Sequence, residues 1–561
     1  MSNTPNFDAK ITAIVDALPA GKDAEICRKF RVPPIKLDPQ DQLDLLTGFN
    51  TGLAFFWKPH MKTGVPILSA IHPDTPIPIV TEEEWAGLDN TDYAQEIDPT
   101  RPVFDQLWDL VTHVPHNPTR NLNSVNSVTV GTVNANDSYC VAASYGVNHC
   151  LYAYAMLNGE DCIDSGNGMN VARSYQSGGS NDISDCQFVY ESKGCLNSSF
   201  LFDCWNCEFC FGATNQRNKK YLFFNEQLDE VEYKKRLAEI DLSDASVADH
   251  YMKRFLELWQ RDGVWPEAFG YGNTDAEGEH VFGCVRSDEC FWQSMSVDCY
   301  RCRLGVSNNG CAYTSGAGSQ QDCYMSTGGT FGSGNAFCVG ATKCINCEYC
   351  FNCRDCENCF GCVGLQHKQF CIFNKQYTEA EYWRRLDELK CRMLETGEYG
   401  EFFPAKFSPC GLQFSAGEIY VGYSNERLDF FGAPWLDPKR GQVFAPHPTD
   451  MRPIEASTLP TRLVEGDPVQ FVGKAIHDPE CDRLFTILPA EFETYKAKRW
   501  PLPRKHFTTR LTELVRRSNS PVQEPATCAD CRGAITTYRN YSFPERTIYC
   551  RSCYLKFLET R

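Results

Sequence analysis

The chain reads as a mixed, β-rich protein built around a narrow, cysteine-lined β-solenoid in two duplicated blocks, with helical caps, flanking α+β regions and a cysteine-knuckle module at the C-terminus. Three observations predict this: a period of three in the cysteines, a duplication at constant offset, and two closely spaced cysteine pairs near the end of the chain. All 15 cysteines from Cys284 to Cys371 share one register of three, and the other positions of that register are mostly small, among them Ser287, Ser296, Gly305, Thr314, Ala317, Ser326, Gly329, Gly332 and Ala341. Three is neither the 3.6 of a helix nor the 2 of a strand. It suits a chain that turns a corner every few residues and leaves room only for small side chains between its walls. Cys150, Cys162, Cys186, Cys195, Cys204, Cys207 and Cys210 share a register in the same way, with Cys140 outside it.

The turn length is also legible. Cys299, Cys311, Cys323, Cys347, Cys359 and Cys371 lie 12 apart or a multiple of it, Asn335 filling the one gap; Cys290, Cys302, Cys338, Cys350 and Cys362 form a second column with Thr314 and Ser326. Twelve residues per turn follow. Asn346, Asn352, Asp355, Asn358 and Gly361 each precede a cysteine and are types that tolerate the left-handed backbone a tight corner needs. The glycines of GGTFGSG (328–334) read as corners of the same kind, since no lysine and no helix signal follow to make a phosphate loop.

Residues 202–237 align without a gap on 351–386 at an offset of 149, matching Cys204, Cys207 and Cys210 to Cys353, Cys356 and Cys359, and Phe224-Asn225 to Phe373-Asn374. Each copy runs into a helix announced by capping-box spacing, Asp229 with Glu232 and Thr378 with Glu381. An N-terminal helix is expected from Phe7, Ile11, Ile14, Val15 and Leu18 on one face. The resulting divisions are an α+β domain (1–115), a first block (130–225), a helical segment (226–279), a second block (280–374), a capping helix (375–400), an α+β region (401–495) and a basic module (496–561).

Cys528-x2-Cys531-x18-Cys550-x2-Cys553 has two chelating pairs, the pattern of a zinc ribbon or treble clef, with AITTYRNYSFPERTIY between them sized for a β-hairpin. Four thiolates close a tetrahedron without a position for water, so Cys528, Cys531, Cys550 and Cys553 are expected to hold one structural Zn²⁺. Cys481, four residues after His477, reads as a buried loop cysteine before a second knuckle. The cysteines of the two blocks read first as small polarizable core fillers, with cross-lumen disulfides and metal clusters as the alternatives.

Hydrophobic residues at 42% and charged residues at 22% describe a globular chain. MSNTPNFDAK lacks a basic-then-apolar leader and no apolar run is long enough to span a bilayer. We therefore expect a chain neither secreted through a signal peptide nor transmembrane, cytoplasmic or assembled into a virus particle, with its 31 cysteines largely reduced. Net charge is −18, yet residues 496–561 hold 14 basic and 5 acidic side chains, a local +9 that leaves −27 elsewhere. That tail either balances the acidic body or meets an acidic partner; Arg504, Lys505, Arg510, Arg516 and Arg517 are expected to face an acidic protein surface. HExxH, GxSxG and GxxxxGK[ST] are absent from the sequence, and His149 beside Cys150 would point to the opposite face.

CFGCVGLQHKQFCIFNKQYTEAEYWRRL, TRPVFDQLWDLVTHVP (100–115), WPLPRKH (500–506) and the closing cysteine pairs together resemble a cysteine-rich family, without an established activity, associated with candidate-phylum bacteria and environmental DNA viruses. The likeness covers most of residues 50–561. It departs in the N-terminal hundred residues, where the family carries further CxxC knuckles and this chain has Cys27 and the apolar LAFFWKPHMKTGVPILSAIHPDTPIPIV (53–80). The expectation is a non-catalytic structural or interaction scaffold with protein partners in a larger assembly such as a virus particle. The alternative is a zinc-dependent, nucleic-acid-associated factor.

Overall fold

A computed structural model describes residues 6–316, 318–441, 452–463 and 467–561. The chain divides into two compact units, both discontinuous: Met1–Arg120 with Phe269–Gly441, and Asn121–Ala268 with Gln442–Arg561. Both are mixed α/β units containing parallel sheets. Among the described residues no helix is long and apolar enough to cross a membrane.

Each unit contains parallel ladders in which partners lie twelve residues apart. In the second unit, Tyr139, Leu151, Ile163, Tyr175, Gln187, Ser199 and Phe211 are successive partners. In the first, Arg303, Ser315, Thr327, Val339, Phe351 and Val363 succeed one another at the same interval. Pairing begins at Leu122 and at Gly270, before the boundaries at 130 and 280 that cysteine spacing suggests, because the opening rungs lack cysteine. Both ladders close on a short antiparallel hairpin, Leu222–Phe223 with Glu226–Gln227 and Cys371–Ile372 with Lys375–Gln376.

The corners fall at every third residue. From Asn134 to Phe224 and from His280 to Phe373, each third residue has a φ between 43° and 71°. Asn, Asp and Gly accept this readily, but Tyr152, Phe188, Phe200, Trp292, Phe337 and Tyr349 are in the set, at a cost of about 1–2 kcal/mol each. The ladder over-determines them. Phe337 donates its N–H back to Tyr324 O (3.0 Å), while Ala336 beside it donates forward to Cys347 O (2.9 Å). Straightening one corner would break bonds on two rungs.

The third position of the triplets points inward and, among the described residues, is buried at nearly every rung, Lys219 and Lys368 being half-buried. Its N–H points inward too, and a small side chain one rung earlier accepts from it: Ser192 Oγ from Cys204 (3.1 Å), Ser287 Oγ from Cys299 (3.2 Å), Asn335 Oδ1 from Cys347 (2.9 Å) and Cys311 Sγ from Cys323 (3.5 Å). The thiols donate in turn to carbonyls two residues back and nine ahead, as Cys195 does to Lys193 O (3.5 Å) and Cys204 O (3.2 Å). A buried backbone amide without a partner costs about 1–3 kcal/mol. Where such an amide points inward, a small side chain that can hydrogen bond, such as Cys, Ser or Asn, satisfies it, which Ala and Gly cannot do.

The outward faces carry the packing. Phe188 on Phe200 and Phe337 on Tyr349, equivalent under the 149-residue offset, stack identically at 4.6 Å and 12°. Helices follow each ladder. Glu379–Thr396 starts with a complete capping box at Thr378 and Glu381, and Asp229 caps Glu230–Ala238. The N-terminal helix Phe7–Asp16 buries Phe7, Ile11 and Val15, with Phe7 edge-on to Tyr399 in the core of the first unit. The segment 401–495, read from sequence as one α+β region, divides between the units. Phe402, Phe403 and Phe407 enter the core of the first, whereas helix Pro489–Lys498 lies on the ladder of the second through Glu491, whose carboxylate accepts from the Tyr152 hydroxyl (2.8 Å).

Candidate metal centre

The four C-terminal cysteines come together from two elements. Strands Gln523–Thr527 and Ala534–Tyr538 pair antiparallel, and the loop between them carries Cys528 and Cys531. Arg532 takes a left-handed φ of 64°, so that its N–H reaches Cys528 O (3.0 Å) while the Cys528 N–H donates to Gly533 O (2.9 Å). This tight turn aims both sulfurs the same way. Strand Thr547–Tyr549 then delivers Cys550 as the N-cap of helix Arg551–Leu558, with Cys553 in its first turn. The N–H of Ala529 on Ile548 O (2.9 Å) holds the two pairs against each other.

The resulting geometry suits a metal. The four sulfurs all lie within 4.8 Å of one another, and Cys531 Sγ is 3.8 Å from Cys550 Sγ, close to the roughly 3.8 Å edge of a tetrahedron with 2.3 Å metal–sulfur bonds. The set could hold a metal ion, and it is the only such convergence of His, Cys, Asp and Glu among the described residues. Burial opposes ionisation of Cys528, but N–H groups of Cys550, Cys531 and Asp530 overcome it and bring the thiol to about 6; the Cys550 N–H lies 3.3 Å from its sulfur. Helix N-terminal amides favour thiolate in the same sense. Cys528 and Cys553 are buried, Cys550 half-buried and Cys531 exposed.

The hairpin is not where the spacing puts it. Residues 534–549 do not fold back on themselves: Ala534–Tyr538 pairs with the strand before the first knuckle, and Thr547–Tyr549 pairs in parallel with Val264–Pro266. Cys531–x18–Cys550 fits either arrangement, and only the distant strand decides between them. The helix carrying Cys553 is tied down by residues that sequence reasoning missed. The Tyr554 hydroxyl donates to buried Asp203, which also takes Arg217 (2.9 Å) and Asn215 (2.6 Å). Burial pushes the Asp203 carboxyl up, against the pull of Arg217. No local signal distinguishes Asp203 and Asn215 from other ladder corners.

Other singled-out residues separate. Cys481 Sγ lies 3.3 Å from an Asp478 oxygen while His477 pairs with Glu455 and Asp482, so no second knuckle forms. His149 is exposed and Cys150 faces inward. Arg510 makes a buried pair with Asp164 (2.9 Å), Lys505 pairs with Glu480 and Glu513, and Arg504 donates to the carbonyls of Ala456, Leu459 and Pro460. Arg517 donates to the Tyr190 hydroxyl, and Arg516 lies 5.9 Å from the Tyr541 ring. No protein-family model matches this chain, and no curated protein matches it.

Proposed function

We propose that the chain is a non-catalytic structural and interaction protein in which two narrow β-solenoids form rigid bodies and a zinc-bound treble clef fastens the C-terminus to one of them. The observation that carries this reading is the use of the inward thiols. Each is a small buried group bonded to rung carbonyls, which is architectural work, and rigid corners repeated at every third residue favour a stiff body over a moving one. Zinc is favoured at Cys528, Cys531, Cys550 and Cys553 because four thiolates at these separations form a closed tetrahedral site. Protein partners within a larger assembly, such as a virus particle, agree with the resemblance set out above. A nucleic-acid role is the weaker reading, since Arg510, Lys505 and Arg504 of the basic segment are engaged within their own unit.

Elemental analysis of the purified chain should find about one zinc per chain. Cys528→Ser with Cys531→Ser should remove it and unfold the C-terminal module, because metal binding supplies the folding energy of such sites, about 10–16 kcal/mol. Protein with intact thiols and no zinc would sink the metal reading. Titration with duplex DNA and with single-stranded RNA should show weak binding that falls steeply with salt; tight binding at physiological salt would favour the nucleic-acid factor.

A further inference from the structure

The first ladder of residues 121–223 and the second of 270–372 are equivalent position by position, and one exchange between them leaves a place empty. On the second ladder Gly316, Gly328 and Gly340 occupy left-handed corners on three successive rungs (φ 62°, 60° and 66°), and their bare faces form a trough. The Asn50 amide fills it over Gly316, with Oδ1 2.5 Å from where a Cβ would stand. The Arg120 guanidinium covers Gly340, its central carbon 3.5 Å from the corresponding point. Over Gly328, between them, the nearest atoms are Arg120 Nη1 at 3.8 Å and Asn50 Oδ1 at 3.9 Å. Apart from the neighbouring residues of the chain, no other heavy atom lies within 4 Å of that point.

Neither flanking group is satisfied. Asn50 is 4% exposed and its Oδ1 is buried without a partner. Its Nδ2 bonds Ser315 Oγ at 2.6 Å, and since a hydroxyl can donate or accept, the amide can equally turn its NH2 toward Gly328. Burial lowers the Arg120 guanidinium to about 10; among the described residues it lies 5.7 Å from the Phe351 ring and pairs with no carboxylate. Cys410 nearby does not neutralise it, because burial pushes that thiol up to about 11 despite the guanidinium.

The duplicated ladder shows what belongs there. Gly179 is the counterpart of Gly328 under the 149-residue offset, and its bare face is covered by the Glu191 carboxylate, whose oxygens lie 2.6 and 2.9 Å from the Cβ point. Glu191 is the counterpart of Gly340. One block thus supplies a carboxylate from its own next rung; the other replaces it with glycine and brings up a guanidinium. We propose that the trough over Gly328 is a binding site for an external carboxylate group, held by Arg120 and Asn50. A planar carboxylate matches the guanidinium fork. The site lies wholly within the first unit and is independent of the metal centre and of the scaffold reading.

Isothermal titration of the full-length, zinc-loaded chain with acetate, glutarate and inorganic phosphate at fixed ionic strength tests the assignment. We expect about one carboxylate bound per chain, and Arg120→Gln should weaken binding by at least about tenfold, the worth of one charge-assisted pair. Removing an unpaired, buried charge should cost the fold little, and circular dichroism checks this. Gly340→Glu, which restores the internal carboxylate of the other block, should abolish binding. No carboxylate binding by the wild type up to tens of millimolar, equal binding by Arg120→Gln, or tighter binding of phosphate than of glutarate would each overturn the proposal.

Discussion

Glu491 lies fully buried where helix Pro489–Lys498 meets the ladder, its Oε2 accepting from Tyr152 and from the Leu488 N–H while Oε1 has no partner. Burial raises this carboxyl from 4.5 to about 7; Arg510 opposes the shift and Asp164 adds to it. Tyr139, Cys140, Tyr152 and Tyr495 also face it and are neutral at these pH values, burial holding each above its ordinary range. The unfolded chain releases the proton near pH 4.5 and the folded chain only near 7, so the unfolded state binds fewer protons in between and stability falls as pH rises through that window. Glu491→Gln should therefore flatten the pH profile of the urea midpoint between these limits and stabilise the protein at neutral pH; a wild-type profile that rises there would refute it. At this scale the sequence is readable only for residues with strong conformational preferences. Asn346, Asp355 and Gly361 announce their corners, whereas Phe337 and Tyr349 adopt the same backbone because of bonds to rungs that are remote in sequence.

Along the ladders the period of three translates directly into geometry, since a residue type that recurs with a structural period reports that period whatever its neighbours are. What spacing leaves open is why the inward positions use cysteine. Several inward N–H groups take their acceptor from the rung before, and a thiol or hydroxyl supplies one in little space. Cys350 is fully buried, with Sγ 3.5 Å from Cys359 O. Replacing it by leucine should therefore destabilise by about 1–3 kcal/mol or more through overpacking, while serine, which keeps both size and bonding, should cost less than alanine does. The ordering leucine, alanine, serine, from most to least destabilising in guanidinium midpoints, is the expected result; alanine milder than serine would mean that volume alone matters. The C-terminal hairpin shows the opposite case, a local spacing with two solutions, chosen by the strand Val264–Pro266.

For the whole molecule, burial divides the thiols sharply. Of 31 cysteines, 28 are buried, leaving Cys481, Cys531 and Cys550. Native chain with its metal in place should react rapidly with a thiol reagent at those three at most, because accessible thiolate governs the rate, and all 31 should react after denaturation and removal of the metal. Rapid reaction of many more would mean that the ladders open on the timescale of the assay. Sequence by itself determined the twelve-residue repeat, its duplication at an offset of 149, the helix starts at Thr378 and Asp229 and the pairing of Cys528 and Cys531 with Cys550 and Cys553. Each is carried by residues close in the chain or by a strict period, and such patterns survive without knowledge of distant contacts. Tertiary structure alone decided that residues 401–495 divide between two units, that Tyr554 is anchored on Asp203, and that Arg120 and Asn50 meet over Gly328. Those outcomes depend on which surfaces remain to be covered once the ladders have formed, and no local pattern encodes that.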